Sequence, residues 1–266
     1  PAGGALQRSR RDDIASIPTA LHSESIKVSS LRSNVRILAL TSVIGVTLSW
    51  IMATFVEVDP DTDLPFTIAV TFIFSTWLTA VLAMIMGTLT FTSEAQHGTL
   101  ATAVAAQPAR WVTVASKTTI AASFGLAMGI LGMAGGLSGA ILGGLPRGDT
   151  SGMASTVLWG LLLTTLAPVL GLGVGMILRH SAAAVSILLV WAFVLENIVR
   201  ALVPVSASRY LPFSAANNML GIAAAEDTPE SLAAALTPFQ NAVLFGGYAV
   251  ALLAVGTILF YRRDTD

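Results

Sequence analysis

Six stretches of this chain are each long and apolar enough to cross a bilayer, which removes most of the folds otherwise open to 266 residues. A hydrocarbon layer roughly 30 Å thick needs about 20 successive apolar residues in a helix that rises about 1.5 Å per residue. The runs Ile37–Val56, Pro65–Phe91, Thr118–Leu142, Met153–Leu178, Ala182–Val203 and Ala242–Tyr261 all satisfy this. They are too long and too uniformly apolar for barrel strands, which alternate in and out over about ten residues. Charged residues make up 11% of the chain, whereas soluble domains carry about 25%. The fold expected is all-α and integral to a membrane, with six transmembrane helices.

Orientation follows from the cations, because Lys and Arg concentrate in short cytoplasmic loops. With the N-terminus inside, Arg8, Arg10, Arg11, Lys27, Arg32, Arg36, Arg110, Lys117, Arg179, Arg262 and Arg263 fall inside, eleven of the fourteen. Only Arg147, Arg200 and Arg209 then fall outside. The expectation is a multi-pass protein with both termini cytoplasmic. The stretch Pro1–Ser33 lacks the apolar core of a signal peptide and reads as a polar cytoplasmic tail. Met153–Leu178 and the next run are joined almost directly through Arg179-His180-Ser181. The longest connection, Pro204–Asn241, holds a possible helix at Pro229–Leu236.

Several chemistries lack their residues. No Cys is present, so there is no thiolate ligand or Cys nucleophile. A phosphate-cradling loop requires Gly-Lys-Ser/Thr, but Lys27 and Lys117 are preceded by Ile26 and Ser116. His22, His97 and His180 lack the spacing of a zinc site. The six runs contain no Asp or His with which to build an intramembrane hydrolase. A formal net charge of -1 gives no electrostatic footprint for nucleic acid. The expectation is a non-enzyme that binds no metal or cofactor itself.

Three features carry information. Gly125, Gly129, Gly132, Gly136, Gly139 and Gly143 recur at spacings of three and four, and Gly171-x-x-x-Gly175 follows. Such stripes allow close backbone approach, within one subunit or at a dimer or sliding interface. Glu196 is the one acid well inside a run, and ionisable groups at such depth are functional candidates. It either pairs with Arg200 at i+4 or lines a polar path or gate. Finally, Thr92–Ser116 forms the sizeable inner loop, helical up to Gly98 and again after it until Pro108 stops it. A short helix there suits contact with a soluble partner.

This loop, with Glu94-x-x-His97-Gly98-Thr99-Leu100, then Pro108-x-Arg110 and Ala115-x-Lys117, resembles the ABC-2 type permeases of bacteria. Ser23-Glu24-Ser25-Ile26-Lys27-Val28-Ser29-Ser30-Leu31-Arg32-Ser33 is similar to that family's approach to its first helix, with Ile26 and Val28 replacing a common Trp and Leu. Tyr210-Leu211-Pro212-Phe213-Ser214-Ala215 resembles its Leu-Pro-Phe segment before the last span. The three stretches occur in the family's order along nearly the whole chain.

The resemblance implies the permease subunit of an ATP-driven exporter in a bacterial plasma membrane, with a type V exporter-like fold. Residues 1–34 would be a tail and interfacial helix carrying Glu24, Lys27 and Arg32, and residues 35–266 the six-helix domain. Glu94, His97, Gly98, Thr99 and Arg110 would form the coupling helix region that meets the ATPase. Short re-entrant helices after Pro204 would cap the exit. The implied partners are two ABC ATP-binding subunits, which hold the ATP and Mg2+, and a second copy of this permease or a similar one. The cargo classes implied are a drug, a peptide antibiotic or a lipid. The alternative is an accessory or immunity membrane protein that binds a partner or toxin without transport.

Overall fold

The structure, a computed structural model, describes residues 17–23, 25–26, 32–55, 68–100, 109–145, 152–221 and 235–263. Among these every regular element is a helix. The long helices are α1 (Arg32–Phe55), α2 (Ile68–Gln96), α3 (Arg110–Leu142), α4 (Met153–Leu178) and α5 (Ser181–Leu202). Two short helices follow, α6 (Val205–Ser208) and α7 (Pro212–Leu220), before the last long one, α8 (Pro238–Arg263). The six long helices all have the length and apolar character to span a membrane, so the chain is a multi-pass helical membrane protein.

Burial sorts the helices into layers. In the most apolar window of α4, 67% of residues are buried, and in α2 56%, against 17% in α1 and 22% in both α5 and α8. Thus α2 and α4 form the centre, with their most extensive contact to each other, while α1 packs mainly on α3 and α8 on α4. Apolar side chains such as Leu40, Trp50, Ile187, Ile198, Val250 and Ile258 point outward from α1, α5 and α8. That outward greasiness is what lipid solvent permits.

Small residues make the central packing possible. A Cβ added at Gly125 or Gly129 would run into Thr164 of α4; at Gly132 or Gly136, into Thr79 or Ser75 of α2; and at Gly139 or Gly143, into Val46 or Ala53 of α1. All six glycines of the α3 stripe are therefore used inside this chain. Gly171 and Gly175 of α4 meet the Met84 and Thr88 main chain of α2 in the same way. Pro168 cannot pair the Thr164 carbonyl, and that carbonyl faces Gly125. On α2 the buried Ser75, Thr76, Thr79, Thr88 and Thr92 hydroxyls return hydrogen bonds to carbonyls of their own helix, so none is left as an unpaired polar group. Thr88 Oγ1 also lies 3.1 Å from the Gly171 carbonyl, tying α2 to α4.

The apolar runs are matched closely in position, but several helices reach past them: α1 starts at Arg32, five residues before Ile37, and α8 runs from Pro238 to Arg263, beyond both Ala242 and Tyr261. Helix α3 starts at Arg110, eight residues before the run beginning at Thr118, because Val112 and Lys117 are buried among neighbouring helix ends. Helix α2 likewise continues past Phe91 to Gln96. Helix α5 is interrupted by a five-residue π turn at Trp191–Leu195, where the Glu196 N–H reaches back to the Trp191 carbonyl. Most of the possible helix at Pro229–Leu236 lies outside the described residues.

Candidate functional site

The two ends of the bundle hold different constellations, called here the His97 end and the Glu196 end. At the His97 end, α2 stops in a Gly cap. The His97 N–H donates to the Ser93 carbonyl at 3.0 Å, and its Nδ1 lies 2.7 Å from the same oxygen. Gly98 then takes φ +72, which favours glycine. Thr99 Oγ1 donates to the Glu94 carbonyl at 3.4 Å, and Leu100 folds back into a cluster with Phe91, Leu172, Met176 and Phe260.

Within this cap Glu94 meets Lys117 of α3, Oε2 to Nζ at 2.7 Å, with the lysine 2% and the glutamate 18% exposed. A buried lysine in an apolar helix is costly unless paired, and this pair joins the last turn of α2 to the second turn of α3. Arg110 opens α3 and donates to the last carbonyls of α8, Phe260 at 3.3 Å and Tyr261 at 3.1 Å. Its guanidinium also lies 5.6 Å from the Phe260 ring centre. A cation at a helix C-terminus satisfies orphan carbonyls and complements the dipole. Arg263 repeats the device, donating to the Ile177 carbonyl at the end of α4 at 2.8 Å. Ser181, at the start of α5, sits within hydrogen-bond distance of Thr92 Oγ1 (2.8 Å) and Gln96 Oε1 (2.7 Å) on α2.

Of the residues singled out from sequence, Glu94, His97, Gly98, Thr99 and Arg110 therefore gather at one end of the bundle. His97 is exposed, as are His22 and His180; His180 caps α5 by accepting from the Ala183 N–H at 3.3 Å. Glu24 and Lys27 lie outside the described residues. Arg32 is the first residue of α1. Sequence reasoning left Lys117 and Arg263 out of the candidate set. The signal for Lys117 was available: a lysine inside a buried helical face requires an acid, and Glu94 was the nearest one already marked.

At the opposite end, Glu196 is 2% exposed. Its partners are main-chain donors, not Arg200. The Phe213 N–H donates to Oε2 at 3.0 Å, and the Ser214 N–H donates to Oε1. The i+4 pairing with Arg200 is thus replaced by a cap on the first turn of α7, where a carboxylate opposes the positive end of the helix. Ahead of it the π turn adds a residue to the helical circuit, and so rotates Glu196 relative to the residues before it. Helix α7 folds into the core, burying Phe213, Ala215, Ala216, Met219 and Leu220 beside Leu163, Ala167 and Phe245. Tyr248 of α8 adds a hydrogen bond from its hydroxyl to the Tyr210 carbonyl at 3.0 Å.

Compared with protein-family models and with curated proteins, the chain matches none.

Proposed function

We propose that this chain is the permease subunit of an ATP-driven ABC exporter of the ABC-2 type, non-catalytic itself and powered by separate ATP-binding subunits. The observation that carries the reading is the anchoring of the loop after α2. Glu94 stands on Lys117, Leu100 on the Phe91–Phe260 cluster and Arg110 on the end of α8. A push on that loop is therefore delivered to α2, α3 and α8 together as rigid bodies. This is the mechanical requirement for turning a partner's conformational change into movement of a helix bundle. Four of the residues that carry the resemblance to ABC-2 permeases, Glu94, Leu100, Arg110 and Lys117, take part in these anchors.

In this reading the His97 end and both termini are cytoplasmic, in a bacterial plasma membrane. Two ATP-binding subunits, which hold ATP and Mg2+, dock there, and a second permease completes the pathway. Glu94, His97, Gly98, Thr99 and Arg110 transmit the stroke; the segment from Pro204 to Gly221 closes the far side. The test is purification of the tagged chain from its own membranes, followed by ATP-driven flux in inverted vesicles. An ABC ATPase in stoichiometric complex and hydrolysis that Glu94→Ala uncouples from flux are the expected results. An intact complex with no ATP-dependent movement points instead to the accessory or immunity role, and a chain that works with no ATPase overturns the proposal.

A further inference from the structure

The His97 end carries, on its outer surface, a patch that the anchoring of the loop after α2 leaves unused. Trp111, in the first turn of α3, and Tyr261, in the last turn of α8, are each 38% exposed. They stand side by side: the Trp111 main-chain N–H donates to the Tyr261 hydroxyl, and the Arg110 guanidinium lies 5.9 Å from the Tyr261 ring centre. Arg262 and Arg263 follow directly and are also exposed. Arg263 gives Nη1 to the Ile177 carbonyl, one nitrogen of a guanidinium that carries five donors.

Both rings sit where lipid gives way to water. The apolar run of α3 begins at Thr118, two turns after Trp111, and the last apolar run ends at Tyr261. Tryptophan and tyrosine concentrate at that depth because one end of each ring system is apolar and the other polar. Beyond them, towards the membrane centre, Leu126 and Ile130 of α3 and Val250 and Ile258 of α8 are exposed and uncharged. The two helices both pack on α4 and make little direct contact with each other, so their outer surfaces border a shallow furrow. A Cβ at Gly125 of α3 would meet Thr164 and Pro168, and one at Gly246 of α8 would meet Leu166. Thr165, half-buried, lies between those two contacts.

The charge around the patch is of one sign. Among the described residues, the acid at this end is Glu94, which Lys117 neutralises. Over the whole sequence, the side assigned to the cytosol holds eleven cations against six acids, Asp12, Asp13, Glu24, Glu94, Asp264 and Asp266.

We propose that the Trp111–Tyr261 patch binds an anionic phospholipid, with Arg262 and Arg263 taking the headgroup phosphate. The two rings bear on the glycerol region, and the acyl chains follow the uncharged surfaces of α3 and α8. A free phosphate ion would leave the apolar part of this surface without a partner, and so would an acidic protein segment in water. An arginine near an anionic headgroup is worth about fivefold in affinity, so net headgroup charge sets the preference. The site does not depend on the transport reading.

The test is native mass spectrometry of the purified, delipidated full chain, titrated with phosphatidylglycerol or phosphatidylcholine of the same acyl chains. Phosphatidylglycerol is expected to bind at least tenfold more tightly. Arg262→Gln/Arg263→Gln should bring the two lipids within twofold of each other, and Trp111→Ala should weaken both several-fold. Arg200→Gln, at the other end of the bundle, should change neither. Equal affinities on the native chain overturn the proposal, as does an undiminished preference in the folded double variant. If that variant does not fold, Arg262→Gln alone, expected to reduce the preference about fivefold, decides by the same criterion. Displacement of the lipid by inorganic phosphate at equal concentration would make this a plain anion site instead. A double variant that binds both lipids as the native chain does, but loses a co-purifying protein, would make it a protein contact.

Discussion

Lys117 and Glu94 meet at 2.7 Å where the end of α2 passes the start of α3, and the lysine is almost wholly enclosed. Neither residue is stable there alone, because an unpaired charge in that setting loses its hydration and gains nothing. Removing one partner of such a pair costs about 3–5 kcal/mol, whereas replacing both with apolar groups of similar volume is often neutral. Lys117→Met is therefore expected to lower the thermal midpoint in detergent sharply. The double variant Glu94→Leu/Lys117→Met should recover most of that loss. Additive losses in the double variant would show that the two charges do not depend on each other.

Arg110 holds two main-chain carbonyls of α8 and lies over the Phe260 ring. Both bonds leave one nitrogen, Nη1, which a lysine ammonium could imitate, but a lysine lacks the planar guanidinium that lies against the Phe260 and Tyr261 rings. Arg110→Lys is thus expected to behave more like Arg110→Ala than like the native chain. The measurement is amide hydrogen exchange in the last turn of α8, which should quicken several-fold in both variants. Protection equal to the native chain in Arg110→Lys would mean that charge alone is sufficient.

How much of this could be read beforehand depended on what each feature requires. Membrane spans require only length and apolar content, so Met153–Leu178 was found to the residue. Helix ends were less legible where charge continues the helix: Arg110 to Lys117 looks like a loop until Glu94 and the α8 carbonyls are known to face it. Glu196 was legible as an anomaly, but its partner was not. An i+4 arginine is visible in sequence, whereas a main-chain N–H group 17 residues on is visible only once α7 has folded back. The π turn left no mark that apolar periodicity could show, since Trp191-Ala-Phe-Val-Leu is apolar throughout.

The glycines give a stability contrast within one helix bundle. A Cβ at Gly87 would collide with the Pro168 main chain of α4, whereas at Gly247 of α8 nothing lies within 4 Å. Forcing extra volume into packed backbone costs roughly 1–3 kcal/mol, while Gly to Ala in an open helical position gains about 0.5–1 kcal/mol. Gly87→Ala should therefore melt earlier than the native chain and Gly247→Ala slightly later, in the same detergent. Equal midpoints for the two variants would mean that α2 and α4 do not approach as closely as Gly87 and Pro168 indicate.

The last prediction concerns sidedness, and the absence of cysteine makes it clean to test. His97 and Ser206 are both exposed, and α3, α4 and α5 lie between them in the chain. Three crossings must put them on opposite faces of the membrane. Arg110 and Arg263 bind helix ends at the His97 end of the bundle, and the proposed orientation, drawn from the positive-inside bias, sets that end in the cytosol. In intact cells an impermeant maleimide should modify Ser206→Cys readily, and His97→Cys only after the membrane is opened. The reverse pattern would invert the orientation and with it the docking side for an ATPase. Labelling of both from outside would be the more serious result, because one of α3, α4 or α5 could then not cross the bilayer at all.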